Sequence, residues 1–402
     1  MKVVKGTNVF ISIVLFLTSL FVYGQTEIDE RAMVNFTKGL GFNSPEHTFG
    51  INIRTRMQNR LAFNFDNNLA LEDIEARVSR LRLRFDGYIK NKKLTYYLQL
   101  SFSRSDQDWD NSGVPNVVRD AMVYYHFNKH FYLGFGQGKL PGNRQRIISS
   151  GQQQFYDRSV VNANYTLDRD FGLFGYYTNK IGSIDFNLKA AISTGDGRNQ
   201  LKTDNGLLYI ARVELLPLGK FTNDGDFSEG DLEFEKLPKI SIGAGYAFNN
   251  KAQRTRGTTG SFLYESKDIN SFFADMVFKY RGWAASSEFI SRNTEVSPFT
   301  YNPNDSLQMQ YVMIGNGINT QLSYCFPSYW EIAARYAVST PSIEVRSQAK
   351  KDEFFVVGVN KYVNKHLTKI QLFTGYRWQS AMSTFQRAKE NFLLVFQVEL
   401  GI

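Results

Sequence analysis

The chain ends on an alternation that limits what it can become. Phe392, Leu394, Phe396, Val398, Leu400 and Ile402 occupy one set of alternate positions, and Gln397, Glu399 and Gly401 the other. Neighbouring side chains on a strand point to opposite faces, so this segment has one wholly apolar face and one mixed face. The pattern returns at Leu94, Tyr96, Leu98, Leu100 and Phe102, opposite Thr95, Gln99, Ser101 and Ser103. It returns again at Ile184, Phe186, Leu188, Ala190 and Ile192, opposite Asp185, Asn187 and Lys189, and further copies span 240–248, 330–338 and 370–378. Each copy is close to the length a tilted strand needs to cross a bilayer, with lipid outside and water inside. A soluble sandwich could carry one or two such segments. The full set predicts an all-β fold, a transmembrane antiparallel β-barrel of about 16 strands. Helical 3.6-residue stripes are missing.

Composition agrees. Aromatic residues make up 15% of the chain, with 34 Phe and 22 Tyr against 9 Pro, and strand formers and interfacial girdles both draw on them. The N-terminus supplies an address: Lys2 and Lys5 precede an apolar run from Val9 to Val22, and Gly24 precedes Gln25. A basic start, a short apolar core and small residues before a cleavage point predict a secretory signal peptide over 1–24. The run is too short for a membrane anchor. Residues 25–46 lack strand alternation and read as a periplasmic lead-in to a barrel domain over 47–402. The expected location is the bacterial outer membrane, against lipid and lipopolysaccharide. Cys325 is alone, so no intramolecular disulfide is expected. Losing Lys2 and Lys5 takes the formal charge from +9 to +7, a balance that favours anionic partners.

Short connections near 91–93, 128–129, 179–182, 281–282 and 327–328 alternate with long ones near 59–76, 104–117, 138–170, 194–206, 249–270, 293–316, 339–352 and 379–390. Tight periplasmic turns and long external loops behave this way, placing both chain ends on the periplasmic side. Residues 217–238 break the rule. They form a long periplasmic connection carrying Asp224, Asp226, Glu229, Asp231, Glu233 and Glu235, and nothing in the sequence accounts for its length.

A barrel of this size keeps an aqueous lumen, and its lining decides what passes. In Arg77-Val78-Ser79-Arg80-Leu81-Arg82-Leu83-Arg84-Phe85-Asp86, period 2 puts Arg80, Arg82 and Arg84 together on the lumen face, roughly 7 Å apart. Arg54 and Arg56 repeat the device opposite Ile51, Ile53 and Thr55. A row of fixed positive charges favours anions over cations, and a guanidinium grips oxyanions with two parallel donors. The alternative is a solvated wall neutralised by Asp86 and nearby acids. Residues 138–170 are too long for an idle connection and carry Lys139, Arg144, Arg146, Arg158 and Arg169 among Tyr156, Asp157 and Tyr165. Folded inward they would line a constriction; left outside they would meet lipopolysaccharide or water. His47, His126, His130 and His366 show no metal-ligand clustering, and Gly195 and Gly197 lack a phosphate-loop lysine. No catalytic residue, metal, cofactor or nucleic-acid partner is expected. A general or sugar-type porin with aromatic slides at Tyr96-Tyr97 and Tyr124-Tyr125, or a non-conducting barrel acting as adhesin or assembly partner, are the rival readings.

From Phe49 onward the chain resembles the phosphate-selective porin O/P family in its Bacteroidetes-like branch. The resemblance rests on Arg80-Leu81-Arg82-Leu83 with Gly87, Arg119-Asp120-Ala121, and Gly136-Gln137-Gly138-Lys139-Leu140-Pro141. It continues through Tyr156-Asp157-Arg158-Ser159, Arg169-Asp170-Phe171-Gly172, the 195–199 turn, and Ala211-Arg212-Val213-Glu214 leading to Pro217-Leu218-Gly219. It implies a homotrimer of 16-stranded barrels that pass inorganic phosphate or other small anions. It also implies an arginine ladder at Arg80, Arg82 and Arg84 that runs through an inward third loop marked by Lys139 and Arg158.

Overall fold

Strand follows strand in the computed structural model, which describes residues 34–35, 39–90, 92–106, 116–200, 203–381 and 387–402. The expected signal peptide lies outside the described residues. Sixteen strands close one antiparallel barrel. They are β3 (Phe49–Phe65), β4 (Leu71–Ile89), β5 (Leu94–Ser101), β6 (Val118–His126), β7 (Phe131–Lys139), β8 (Arg169–Ile181), β9 (Ile184–Ser193) and β10 (Leu208–Leu216), then β11 (Lys239–Arg254), β12 (Phe262–Tyr280) and β13 (Trp283–Asn293). The circle is completed by β16 (Gly315–Cys325), β17 (Trp330–Pro341), β18 (Lys351–Asn364), β19 (Thr368–Ser380) and β20 (Arg387–Gly401). Two short strands, β1 (Val34–Asn35) and β2 (Leu40–Asn43), precede it, and an external hairpin of β14 (Phe299–Asn302) and β15 (Asp305–Tyr311) rises from one loop. Each barrel strand pairs with its neighbour in sequence, and β20 closes on β3 with Leu394 opposite Phe63 and Gly401 opposite Arg56. Closure leaves no sheet edge to face lipid.

Alternation resolves as expected at both faces. On β20, Phe396 is 43% exposed on the outside, while Gln397 and Glu399 point inward and are fully buried. Trp283, Tyr324, Phe326 and Trp330 cluster at the periplasmic end, with Trp283 and Tyr324 rings 4.8 Å apart, the amphipathic band that a membrane interface favours.

Three boundaries differ from expectation. The 59–76 and 249–270 connections are mostly strand: β3 and β4 are joined by residues 66–70 alone, and β11 and β12 by 255–261. Beyond the hydrocarbon both faces meet water, so the apolar face fades in sequence while the backbone pairing carries on. Within 25–46, Leu40–Asn43 pairs with Gly50–Ile53. The barrel's last strand reaches only to Arg56 on β3, and β2 covers the open edge below.

Two segments fill part of the bore. Residues 140–168, between β7 and β8, contain helices α1 (Arg144–Ile147) and α2 (Val160–Tyr165). Residues 217–238, between β10 and β11, turn up into the barrel: Phe221 packs on Leu216 and Val277, and Leu232 on Cys325 and Tyr362. The two segments meet. Glu229 N–H donates to Gln152 O at 2.8 Å, and the Glu229 carboxylate accepts from Gln154 N–H at 2.9 Å.

Candidate functional site

The 140–168 segment is held by lumen-facing side chains from most of the circumference. The Arg144 guanidinium donates to Asp275 at 2.8 Å, and Gln145 N–H to Glu288 at 2.9 Å. Arg56 and Arg82 both donate to Ser150 Oγ, at 2.6 and 2.7 Å. Gly151 permits that approach, since a Cβ there would lie 2.1 Å from an Arg56 nitrogen. Farther along, Lys369 donates to Gln153 O, Gln371 to Gln154 O, Arg60 to Tyr156 O, and Arg335 to Asp157 O, all at 2.6–2.8 Å. Phe155 stacks against Phe373 and beneath the Arg335 guanidinium. Inward residues of β12–β20 such as Lys279, Gln321, Glu331, Asn360 and Gln397 are therefore at most 3% exposed. That flank is packed, and open space remains along β3–β9.

Three cavities lie in series there. An outer one of about 470 Å³ is lined by Arg60, Arg77, Arg80, Arg82, Arg119, Arg146, Arg158, Arg198 and Arg377, against Asp106, Asp157 and Asp168. It adjoins a middle cavity of about 340 Å³ through shared Arg82, Arg119 and Arg158. The middle one adjoins a periplasmic vestibule of about 970 Å³ through shared Arg84, Tyr132 and Lys189. In that vestibule Arg84, Lys189, Lys220 and Lys365 face Asp224, Asp226 and Glu233. Positive charge thus dominates the outer and middle cavities and is nearly balanced at the exit.

Seven of the ten candidate residues line this path: Arg80, Arg82, Arg84, Lys139, Arg146, Arg158 and Arg169. Most are partly neutralised. Arg80 meets Asp157 at 3.0 Å and Gln58 at 2.7 Å; Arg82 donates to Asp106 at 2.7 Å; Arg84 pairs with Asp86 at 2.8 Å and lies 4.4 Å over the Tyr97 ring. Arg146 donates to Asp168 at 2.7 Å, and Arg169 grips Asp120 through two bonds of 2.9 and 3.1 Å. The acids respond. Burial would raise the Asp106 and Asp157 carboxyls, but Arg82 and Arg119 hold the first, and Arg80 and Arg60 the second, well below the ordinary carboxylate range.

Lys139 and Arg158 differ from the rest. Lys139 Nζ donates to Ile147 O and Ile148 O at 3.0 and 3.2 Å; Arg158 donates to Gln145 O and Ile148 O at 2.9 and 3.0 Å. Both are bound by neutral carbonyl dipoles, with no carboxylate in ion-pair contact among the described residues. Burial pushes the Arg158 guanidinium well below its ordinary value, and Arg146 and Arg80 add to the effect. A cation so placed gains from any anion that arrives.

The other three candidates sit off the path. Arg54 pairs with Asp86 at 2.9 Å, Arg56 binds Ser150, and Arg144 is enclosed by Asp275, Glu214 and Asp226. Sequence reasoning passed over Arg60, Arg77, Arg119, Arg198, Arg377 and Lys189, which do line it. Arg60 continues the Arg54, Arg56, Gln58 alternation and was legible once β3 is allowed its full length. Arg77 and Arg119 were not. A register shift sets Gln58 opposite Arg80 but Asn59 opposite Val78, and another sets Gln99 opposite Asp120 but Leu100 opposite Val118. These bulges suspend alternation, so Arg77 and Arg80, and adjacent Arg119 and Asp120, all turn inward.

Comparisons with known proteins agree with this architecture. Among solved structures the chain is similar to OprB of Pseudomonas putida (12% identity, TM-score 0.55, covering 88% of this chain and 94% of that one). It is also similar to OmpT of Vibrio cholerae (12%, 0.54, 88% and 98%) and to an anion-selective porin from Comamonas acidovorans (10%, 0.51, 88% and 100%). At such identities the likeness speaks to the fold alone. No curated protein matches the sequence. The profile of phosphate-selective porin O and P matches residues 51–382, which span the inward segments, the arginine strands and all but the last barrel strand. This chain is an outer-membrane porin and belongs to the phosphate-selective porin O and P family.

Proposed function

We propose that the protein is a passive, anion-preferring diffusion pore for inorganic phosphate or related small oxyanions, working as a homotrimer among outer-membrane lipid and lipopolysaccharide. The observation that carries this reading is the junction of the outer and middle cavities, where the Arg158 guanidinium faces carbonyl oxygens only, as does Lys139 on the adjoining middle wall. Arg82 and Arg119 share the same wall and a single acid, Asp106. An oxyanion there replaces lost water with charge-assisted donors, while Arg80 above and Arg84 below offer the next footholds. Several moderate sites in a row allow passage where one strong site would trap the ion. Toward the periplasm the acids of 217–238 offset the cations, which eases release.

Purified protein in planar bilayers under a KCl gradient tests the proposal. The reversal potential should report chloride preference, and added phosphate should reduce the chloride current. Replacing Arg158→Gln together with Lys139→Gln should lower both effects. A native channel that prefers potassium, or one whose chloride current is indifferent to phosphate, refutes the assignment, and bilayer silence would favour a non-conducting barrel.

A further inference from the structure

The middle cavity has a second wall that an inorganic ion does not use. Tyr97, Tyr124, Tyr132 and Tyr176, from the consecutive strands β5 to β8, face the same space as Arg82, Arg119 and Arg158. Tyr132 and Tyr176 stack with ring centroids 4.6 Å apart, and Tyr124 sits edge-on to both at 6.0 and 6.2 Å. The hydroxyls of Tyr124, Tyr132 and Tyr176 have no hydrogen-bond partner among the described residues. The two walls are close, since the Arg84 guanidinium lies 4.4 Å from the Tyr97 ring centre.

Aromatic carbon along one side of an ion path displaces water and returns nothing to a hydrated phosphate. It does favour a molecule that brings a ring of its own, through stacking and apolar contact, and free phenol hydroxyls can bond that ring's polar edge. A volume of about 340 Å³ falls within the range of small-molecule sites, roughly 300–1,000 Å³.

We propose that the middle cavity is a subsite for ring-bearing organic monophosphates, with the phosphate on the arginines at the cavity junction and the ring against the tyrosine wall. This rests on the anion reading and narrows its substrate class. The test compares block of the chloride current by phenyl phosphate and by inorganic phosphate in the same bilayer. One added ring contact should make phenyl phosphate about three- to tenfold the more potent blocker. In Tyr124→Ala/Tyr176→Ala the ratio of the two blocking constants should fall toward one, and Tyr124→Phe/Tyr176→Phe should keep most of it. Equal potency in the native channel, or a ratio that survives the double alanine change, overturns the subsite. The KCl reversal potential keeps the two ideas apart: a potassium-preferring channel sinks the anion reading itself, whereas an anion-preferring channel blind to the ring sinks only this one.

Discussion

Arg144→Ala asks whether the inner segment is held by charge or by shape. Arg144, Arg212 and Lys189 face Glu214, Asp226 and Asp275, three cations against three carboxylates, with Arg144 in ion-pair contact with all three acids. Burial works to lower the Arg144 guanidinium, yet those acids hold it above its ordinary value. Deleting one member of such a buried cluster leaves charge uncompensated and costs about 3–5 kcal/mol. The barrel wall keeps its strand pairing, so the cost falls on docking of the segment that carries Arg144. At about 1.4 kcal/mol per tenfold, that shifts the docked-to-undocked ratio by roughly two to three and a half orders of magnitude. The expected result is a folded, heat-modifiable barrel with larger single-channel conductance and new tryptic cleavage at Arg146 or Arg158. Arg144→Lys should recover only part, because a lysine cannot reach Asp275 and Ser241 in the way the planar fork does. Native conductance together with native protease resistance in the alanine variant would refute the reasoning.

Three further outcomes are expected. Replacing residues 222–236 by a short flexible turn should raise conductance and weaken anion preference, because Glu229 no longer supports Gln152 and Gln154; an unchanged current–voltage curve would count against a role in the bore. Phe155→Ala removes a fully packed ring from against Phe373 and Arg335 and should loosen the segment by about 3–5 kcal/mol, read as faster hydrogen exchange in 145–165. The pH response follows from Asp106 and Asp157, whose carboxyls are depressed: a depressed acid stabilises the folded state above its unfolded value of about 3.9 and loses that effect only as pH falls through the lower, folded one. The change in conductance caused by Asp106→Asn/Asp157→Asn should therefore be the same at about pH 7 and at about pH 5, and a difference between native and variant channels that has vanished by about pH 5 would contradict the ion pairs of those two acids.

The barrel was readable because a membrane enforces alternation wherever lipid touches the wall. Leu81, Leu83 and Phe85 fix the facing of Arg80, Arg82 and Arg84 without further information. Where lipid stops, the rule weakens: the sequence reads Arg60 as part of a loop where the chain is strand. Bulges defeat it altogether: no local property of Arg119-Asp120 says that both side chains turn inward, since the cause is a pairing shift against Gln99 and Leu100. Residues 217–238 failed for another reason. Their acids look like a solvated turn, yet Asp231 accepts Gly282 N–H at 2.8 Å and Glu235 accepts Thr222 Oγ at 3.0 Å, partners known only once the chain is folded. Among the proposed site residues, sequence distinguished lumen from lipid but not path from anchor, because Arg144 and Arg158 differ only in whether a carboxylate waits opposite.

The off-centre opening has a consequence for how such a pore can diversify. With one flank occupied by buried anchors and the other wetted, substitutions on β3–β9 can retune what is admitted, while β12–β20 act as a fixed mount for the baffle. Exchanging the wetted half between two relatives should transfer their solute preference intact, and exchanging the mount should change only how firmly the baffle sits.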